Sequence, residues 1–321
     1  MKTKYKVLTI VSIYIALLLT AVIIATPAQS KVAKDKSYGI DGVERPAHLM
    51  DLLRKVKALE AEAVAGNTAA QFRLGYYYAK GMLVGKDVNK AVKWLSLAHS
   101  NGNIEASNLL GEILVEYGAN EQTNIMAMMY FKRAADGGLA AGQLNLGIMY
   151  YSGKGTAQNY NKALDQFTAA AKQDHTTAQY YIGVMYALGH GVDKNHTKAL
   201  AWYEMAASNG HAYAAYNAAI SYDIGRGVDQ DQVKATELFK KSAEGGFSEA
   251  QYQLGKRYYV GTGTDRILED AFVWLMVAQN QGHKEAEKLV RIIMPRMTVA
   301  QVREAAKRID KIIEKAIQRR F

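Results

Sequence analysis

The sequence predicts an all-α fold, an α-solenoid built from helix-turn-helix repeats of 36 residues. One observation is a column of glycines at that interval, with Ala219 in the one place that lacks glycine: Gly75, Gly111, Gly147, Gly183 and Gly255. Another is a column of alanines that keeps the same interval without a gap: Ala91, Ala127, Ala163, Ala199, Ala235 and Ala271. Two columns with one period indicate stacked units of equal length rather than separate globular domains.

Composition agrees with a folded, cysteine-free chain. Of 321 residues, 49% are hydrophobic, which is enough for a substantial core. The absence of cysteine excludes a disulfide framework and thiolate metal sites. The formal charge of +10 is a moderate excess spread along the chain. Dispersed lysines usually solvate helix surfaces, so we expect no nucleic-acid partner.

The first 28 residues have the pattern of a segment that enters a membrane. Lys2, Lys4 and Lys6 precede an uncharged run over 7–25. Residues 1–28 are either a signal peptide cleaved after Ala28 or an uncleaved N-terminal anchor, and the length of the run slightly favours the anchor. Both alternatives predict a periplasmic protein, released or held at the inner membrane. Residues 29–45 are polar and predict a tether.

A capping helix is predicted over 46–66, before the first full repeat. Leu52, Val56, Leu59 and Ala63 follow the three-to-four spacing of one buried helix face. The repeats then occupy 67–294 as six full units and one further helix.

The sequence of each repeat predicts a first helix, a glycine-containing turn and a second helix. The glycine column falls in the middle of the first helix, where a small residue allows a neighbouring helix to approach closely. In the third unit the turn contains Gly153 and Gly155, and the first of these suits the left-handed position that ends a helix. The alanine column and large aromatic residues form one stripe on the second helix.

These residues resemble the Sel1-like repeat, a relative of the tetratricopeptide repeat. Residues 178–210, AQYYIGVMYALGHGVDKNHTKALAWYEMAASNG, carry the family's small, glycine, aromatic and alanine positions in one unit. The resemblance implies a right-handed α-solenoid superhelix and an adaptor that binds other proteins. The first unit departs from it with Gly81 and Gly85 in its turn, and the second with the irregular turn YGANEQTN, which leaves the turn geometry there open.

An amphipathic C-terminal helix is predicted over 295–321. Thr298 and Gln301 have the spacing of a capping box, and Val302, Ile309 and Ile312 lie on one face of the helix that follows. This helix either covers the last unit or offers a surface to a partner or a membrane.

No catalytic, cofactor-binding or metal-binding residues are predicted. The recurring G-x-G lies in turns that no strand precedes, so it is not a dinucleotide fingerprint. His175, His211 and His283 share one register, and equivalent positions on stacked units lie too far apart to hold one metal ion. The sequence also offers no paired acid and base. We therefore expect a protein that is not an enzyme.

The candidate binding residues lie on the side of the first helices that is opposite the packed face. In tetratricopeptide-like arrays this opposite side lines the concave groove. Amphipathic aromatic side chains with few charges are typical of binding surfaces. The predicted partner-binding groove consists of Phe72, Tyr76, Leu144, Tyr151, Tyr180, Tyr213, Tyr216, Asp223, Tyr252, Lys256 and Tyr259. For the column containing Tyr180, Tyr216 and Tyr252, two interpretations remain: binding a ligand, or bracing adjacent repeats.

The function predicted from the sequence is a non-enzymatic protein-protein interaction scaffold in the bacterial cell envelope. It would bind a peptide or protein in its concave groove. The alternative is an envelope protein that binds or modifies cell-wall glycan, because stacked tyrosines also suit sugar rings.

Overall fold

The structure is a computed structural model that describes residues 47–118 and 120–318. The predicted signal peptide or anchor over 1–28 and the tether over 29–45 lie outside these residues. Within them, no helix combines the length and the apolar character needed to cross a membrane. The chain divides into two compact units, Met1–Trp94 and Leu95–Phe321.

The first compact unit contains the predicted capping helix and most of the first repeat. Helix α1 (Ala47–Val64) packs against α2 (Thr68–Lys80), and α3 (Val88–Ser100) begins in this unit. The buried side chain of Gln71 donates from Nε2 to the carbonyl oxygen of Ala63 at 3.1 Å. The same carbonyl accepts from the backbone N–H of Gly66 at 3.2 Å, so the side chain adds a second donor at the end of α1.

The second compact unit continues with helices that pack in sequence order, each on the next. Their bounds are α4 (Ile104–Tyr117), α5 (Glu121–Asp136), α6 (Ala140–Ser152), α7 (Tyr160–Ala171), α8 (Thr176–Leu188), α9 (His196–Ser208), α10 (Ala212–Ile224), α11 (Gln232–Glu244), α12 (Ser248–Val260), α13 (Leu268–Asn280), α14 (Lys284–Ile293) and α15 (Val299–Gln318). The residues that the structure describes contain helices and turns and no strand. The predicted all-α repeat solenoid is confirmed.

The glycine column has a steric cause. A Cβ atom at Gly183 would lie 2.6 Å from the ring of Tyr203 on the second helix of the same unit. Gly147 stands in the same relation to Phe167. The missing side chain therefore makes room for a large ring from the facing helix, which explains why glycine occurs in the middle of these helices.

The two glycines of each regular turn have different roles. The first ends the helix in the left-handed conformation, as Gly225 does with φ 69° after α10. The second lies against the preceding unit, where a Cβ at Gly227 would be 2.6 Å from the carbonyl carbon of His196. In the first repeat Leu83 takes the second place with φ 61°, a conformation that costs a non-glycine residue energy.

Helix α15 packs along α13. Ala305 and Ile309 are buried there, and Arg308 forms an ion pair with Asp270 at 2.6 Å. The helix begins at Val299, four residues later than the predicted segment, because Pro295 lies in a separate 3-10 turn. This packing is that of a cap over the last helices.

Candidate functional site

The predicted groove residues of the first compact unit are Phe72 and Tyr76, one turn apart on α2. Their rings are partly buried, with centroids 6.2 Å apart. The other nine groove residues lie on α6, α8, α10 and α12 of the second compact unit.

One column of tyrosines contacts the residue that precedes the first helix of the following unit. The ring of Tyr180 stacks on His211 with centroids 4.7 Å apart and an angle of 20°. Contacts at the same place recur at two further joints between units: Tyr252 stacks on His283, and Tyr216 meets Phe247 edge to face. Leu144, in the same column, packs against a core cluster formed by residues of its own unit and of the next. The bracing interpretation therefore matches the geometry of this column.

The histidines that share a register are helix caps. His211 precedes α10, and its Nδ1 accepts a hydrogen bond from the backbone N–H of Ala214 at 3.2 Å. His283 caps α14 in the same way. His175 precedes α8, and its buried Nδ1 has no hydrogen-bond partner. Among the described residues, no group of three or more potential metal-ligating side chains occurs.

Three groove residues from another column also reach the next unit. The hydroxyl of Tyr151 lies 3.0 Å from Nδ1 of His190 in the turn after α8. Tyr259 accepts a hydrogen bond from Arg296 at 3.1 Å. Asp223 forms an ion pair with Arg257 on α12. These side chains connect successive units, so the predicted ladder is not simply a free binding surface.

Arg257 was not among the site residues predicted from the sequence. Its side chain is only 7% exposed and occupies a register that holds Met149 and Met185 in earlier units. Beside Asp223, it donates to the Gln232 side chain at 3.0 Å and lies over the ring of Phe239. The same register holds Ser221 in the unit before, but an arginine in a column of mostly apolar residues was the available signal. Its partner Asp223 could not be predicted, because the two side chains meet only when α12 packs on the preceding unit.

Tyr213 and Lys256 remain exposed, and Tyr213 borders a shallow depression. Its side chain is 54% exposed, and its ring centroid lies 4.6 Å from that of Phe247. The depression has a volume of about 210 Å³ and also touches Gly246 and Gln281.

A second cleft, with a volume of about 300 Å³, lies between α8, α9 and α10. Val184 and Leu188 line it from α8 and Ile220 from α10, whereas Tyr180 and Tyr203 present their rings. Burial raises the pKa of Tyr203 to about 12, so its phenol stays neutral at physiological pH. Of these residues, only Tyr180 was predicted from the sequence. Val184 belongs to the same stripe, but an isolated valine carries no signal for binding.

Arg226 and His196 also line this cleft. Partial burial, with the nearby charges of Lys194 and Arg226, lowers the pKa of His196. Arg226 therefore gives one end of the cleft a positive charge, and the remaining walls are mostly apolar or aromatic.

The repeat pattern corresponds to a known family. A model of the Sel1 repeat matches residues 68–103, 104–139, 140–175, 176–211, 212–247 and 248–275. The chain belongs to the Sel1 repeat family. Each matched unit starts at the first residue of a first helix, directly after its capping residue. The resemblance inferred from the sequence is thus confirmed, and repeats of this family typically form protein-protein interaction scaffolds.

Relatives cover this chain to different extents. The ERAD-associated E3 ubiquitin-protein ligase component HRD3B of Arabidopsis thaliana is 33% identical over 107 residues, which is 33% of this chain and 17% of that protein. A protective antigen of uropathogenic Escherichia coli with an SLR fold is 29% identical with a TM-score of 0.71; the match covers 83% of this chain and 57% of the antigen. A Sel1 repeat protein from Oxalobacter formigenes is 26% identical with a TM-score of 0.53, and the match covers 78% of this chain and 83% of that protein.

Proposed function

We propose that this chain is a non-enzymatic scaffold that binds a peptide or protein segment on the first helices of its second compact unit. The observation that carries the proposal is the cleft between α8 and α10, where apolar walls adjoin a few polar groups. Such a combination is typical of sites that bury one part of a ligand and fix its orientation. The exposed ring of Tyr213 extends this surface, because its centroid lies 6.5 Å from that of Tyr180, which lines the cleft.

We propose the cell envelope as the location. The support is the basic and apolar sequence of residues 1–28, which would hold the protein at the inner membrane or release it to the periplasm.

Site-specific photocrosslinking in the native cell tests the binding face. A benzoylphenylalanine would replace Leu188 at the rim of the cleft or Tyr213 beside it, because both side chains are 54% exposed. The control position is Glu237, exposed on the second helix α11. We expect a discrete adduct from the first two positions and none from the control. Equal adducts at all three positions, or no adduct at any, would contradict the proposal.

Exposed positions are the better choice for this experiment. Replacing Tyr180 or Tyr216 with alanine would also remove a ring that packs between units. Loss of binding could then follow from loss of the fold.

A second candidate is binding of cell-wall glycan at Tyr213. Its exposed ring beside Phe247 borders a depression of about 210 Å³, and a flat aromatic surface of this kind can stack on a sugar. Pull-down with purified cell-wall polymer would test it. Retention that is lost in Tyr213→Ser and kept in Leu188→Ser would support glycan binding, and no retention of the unaltered protein would exclude it.

A further inference from the structure

The cleft between α8 and α10 joins two kinds of surface within a small volume. Val184, Leu188 and Ile220 form apolar walls, and Arg226 and His196 lie at the cationic end. A volume of about 300 Å³ lies at the lower limit for small-ligand sites, so the cleft holds one large side chain rather than an extended segment.

Arg226 is not neutralised by a carboxylate of the described part of the chain. None of the ion pairs formed among residues 47–118 and 120–318 includes it. By contrast, Arg257 and Arg308 are paired with aspartates. An arginine beside apolar walls is therefore available to a carboxylate brought by a ligand, and its planar guanidinium can bind both oxygens of that carboxylate.

Resting on the proposed scaffold function, we propose that the cleft binds the C-terminal residue of a partner protein. The large apolar side chain of that residue would enter between Val184 and Ile220, and its free carboxylate would pair with Arg226. His196 lies beside the same position and offers a further donor.

A C-terminal residue fits better than an internal acidic residue. Only a C-terminal amino acid carries a carboxylate and an apolar side chain on the same α-carbon, so one residue satisfies both surfaces of a small cleft. An internal aspartate would need a separate apolar neighbour, which requires more volume and more ordered side chains.

The test uses the full-length protein and three small probes in methyl NMR titrations that follow Val184 and Ile220. The probes are N-acetyl-L-leucine, its carboxamide, and N-acetyl-leucyl-aspartyl amide, which carries an internal carboxylate. We expect N-acetyl-L-leucine to bind with a dissociation constant on the order of 1 mM, as its size permits. The carboxamide should bind about tenfold more weakly, because it loses the charge-assisted pairing.

Two variants assign the carboxylate contact. Arg226→Gln should weaken N-acetyl-L-leucine about tenfold and leave the affinity for the carboxamide unchanged. The side chain of Arg226 is exposed in a turn, so the substitution leaves the core intact. Arg303→Gln, at an exposed site on α15, is the matched control and should change neither affinity.

Several outcomes would overturn the inference. One is stronger binding of the leucyl-aspartyl amide that depends on Arg226, which would assign the cleft to an internal acidic residue. Another is equal binding of all three probes without dependence on Arg226, and a third is the absence of any shift at Val184 and Ile220. None of these results would affect crosslinking at Leu188 and Tyr213, so failure of the inference is separable from failure of the scaffold proposal.

Discussion

Asp223 on α10 and Arg257 on α12 form an ion pair that joins two successive units of the array. The arginine is 7% exposed and the aspartate 29% exposed. A charge buried to this extent depends on its partner, because removal of either group leaves the other desolvated without compensation.

Breaking this ion pair should destabilise the protein more than removing it altogether. We expect Arg257→Met to lower the free energy of unfolding by about 2–3 kcal/mol, less than for a fully buried pair because Asp223 is partly exposed. The double variant with Asp223→Ala should recover most of this loss, since methionine already occupies the register at Met149 and Met185. Urea unfolding of both single variants and the double variant gives the coupling energy. Additive losses would contradict the interpretation.

A methyl group at Gly183 should destabilise the fold although alanine is the better helix former. Its Cβ would lie 2.6 Å from the ring of Tyr203, and overpacking of a core costs about 1–3 kcal/mol. The preference of helices for alanine over glycine offsets about 1 kcal/mol of that cost.

The comparison variant is Ala219→Gly, in the unit where alanine takes the glycine position and shares a buried core cluster with Phe239. This variant should also lower the free energy of unfolding, by about 1 kcal/mol, because glycine has a lower helix propensity than alanine and the change relieves no clash. Thermal unfolding of the two variants decides the matter, and a higher melting temperature for Gly183→Ala would show that the ring can move aside.

Ser242→Ala should stabilise the protein. The hydroxyl of Ser242 is fully buried and has no hydrogen-bond partner, and the other units have alanine in this register. Removing an unsatisfied buried polar group is worth about 1–2 kcal/mol. Ser221→Ala is the control, because the Ser221 hydroxyl donates to the Asn217 carbonyl at 3.0 Å. A calorimetric scan should show a higher melting temperature than that of the unaltered protein for Ser242→Ala only.

Stability should fall as the pH decreases below the ordinary histidine pKa of 6.5. Burial lowers the pKa of His175 and of His211, so the unfolded chain takes up protons before the folded chain does. The stabilising contribution is complete above pH 6.5 and is lost as the pH falls from there through the lowered pKa values.

The matched variant replaces both histidines with residues that the chain itself has in this register, His175→Leu and His211→Phe, after Leu139 and Phe247. Urea midpoints measured between about pH 7 and pH 5 should fall less steeply in the double variant. Equal slopes for both proteins would show that these histidines do not control the pH response.

The features predicted from the sequence are those fixed by backbone geometry. Gly225 ends a helix at positive φ, and Gly183 faces a ring of its own unit. Each requirement acts at the same position in most units, so the repeat displays it as a column.

The contacts between units were harder to predict. Tyr180 meets His211, and Asp223 meets Arg257, across distances in the sequence that depend on how one unit stacks on the next. Periodicity places such residues on a face but does not pair them. Arg226 was missed for the same reason, since its position in a turn indicated solvent rather than the edge of a cleft.

The packing of α15 against α13 restricts how this array can change length. A unit added after α14 would need the surface of α13 that Ala305 and Ile309 now cover. Insertion or loss of a complete unit between α4 and α13 would instead preserve both ends of the stack. Copies of this protein that differ in repeat number should therefore vary by internal duplication or deletion in steps of one unit, with the last helix retained.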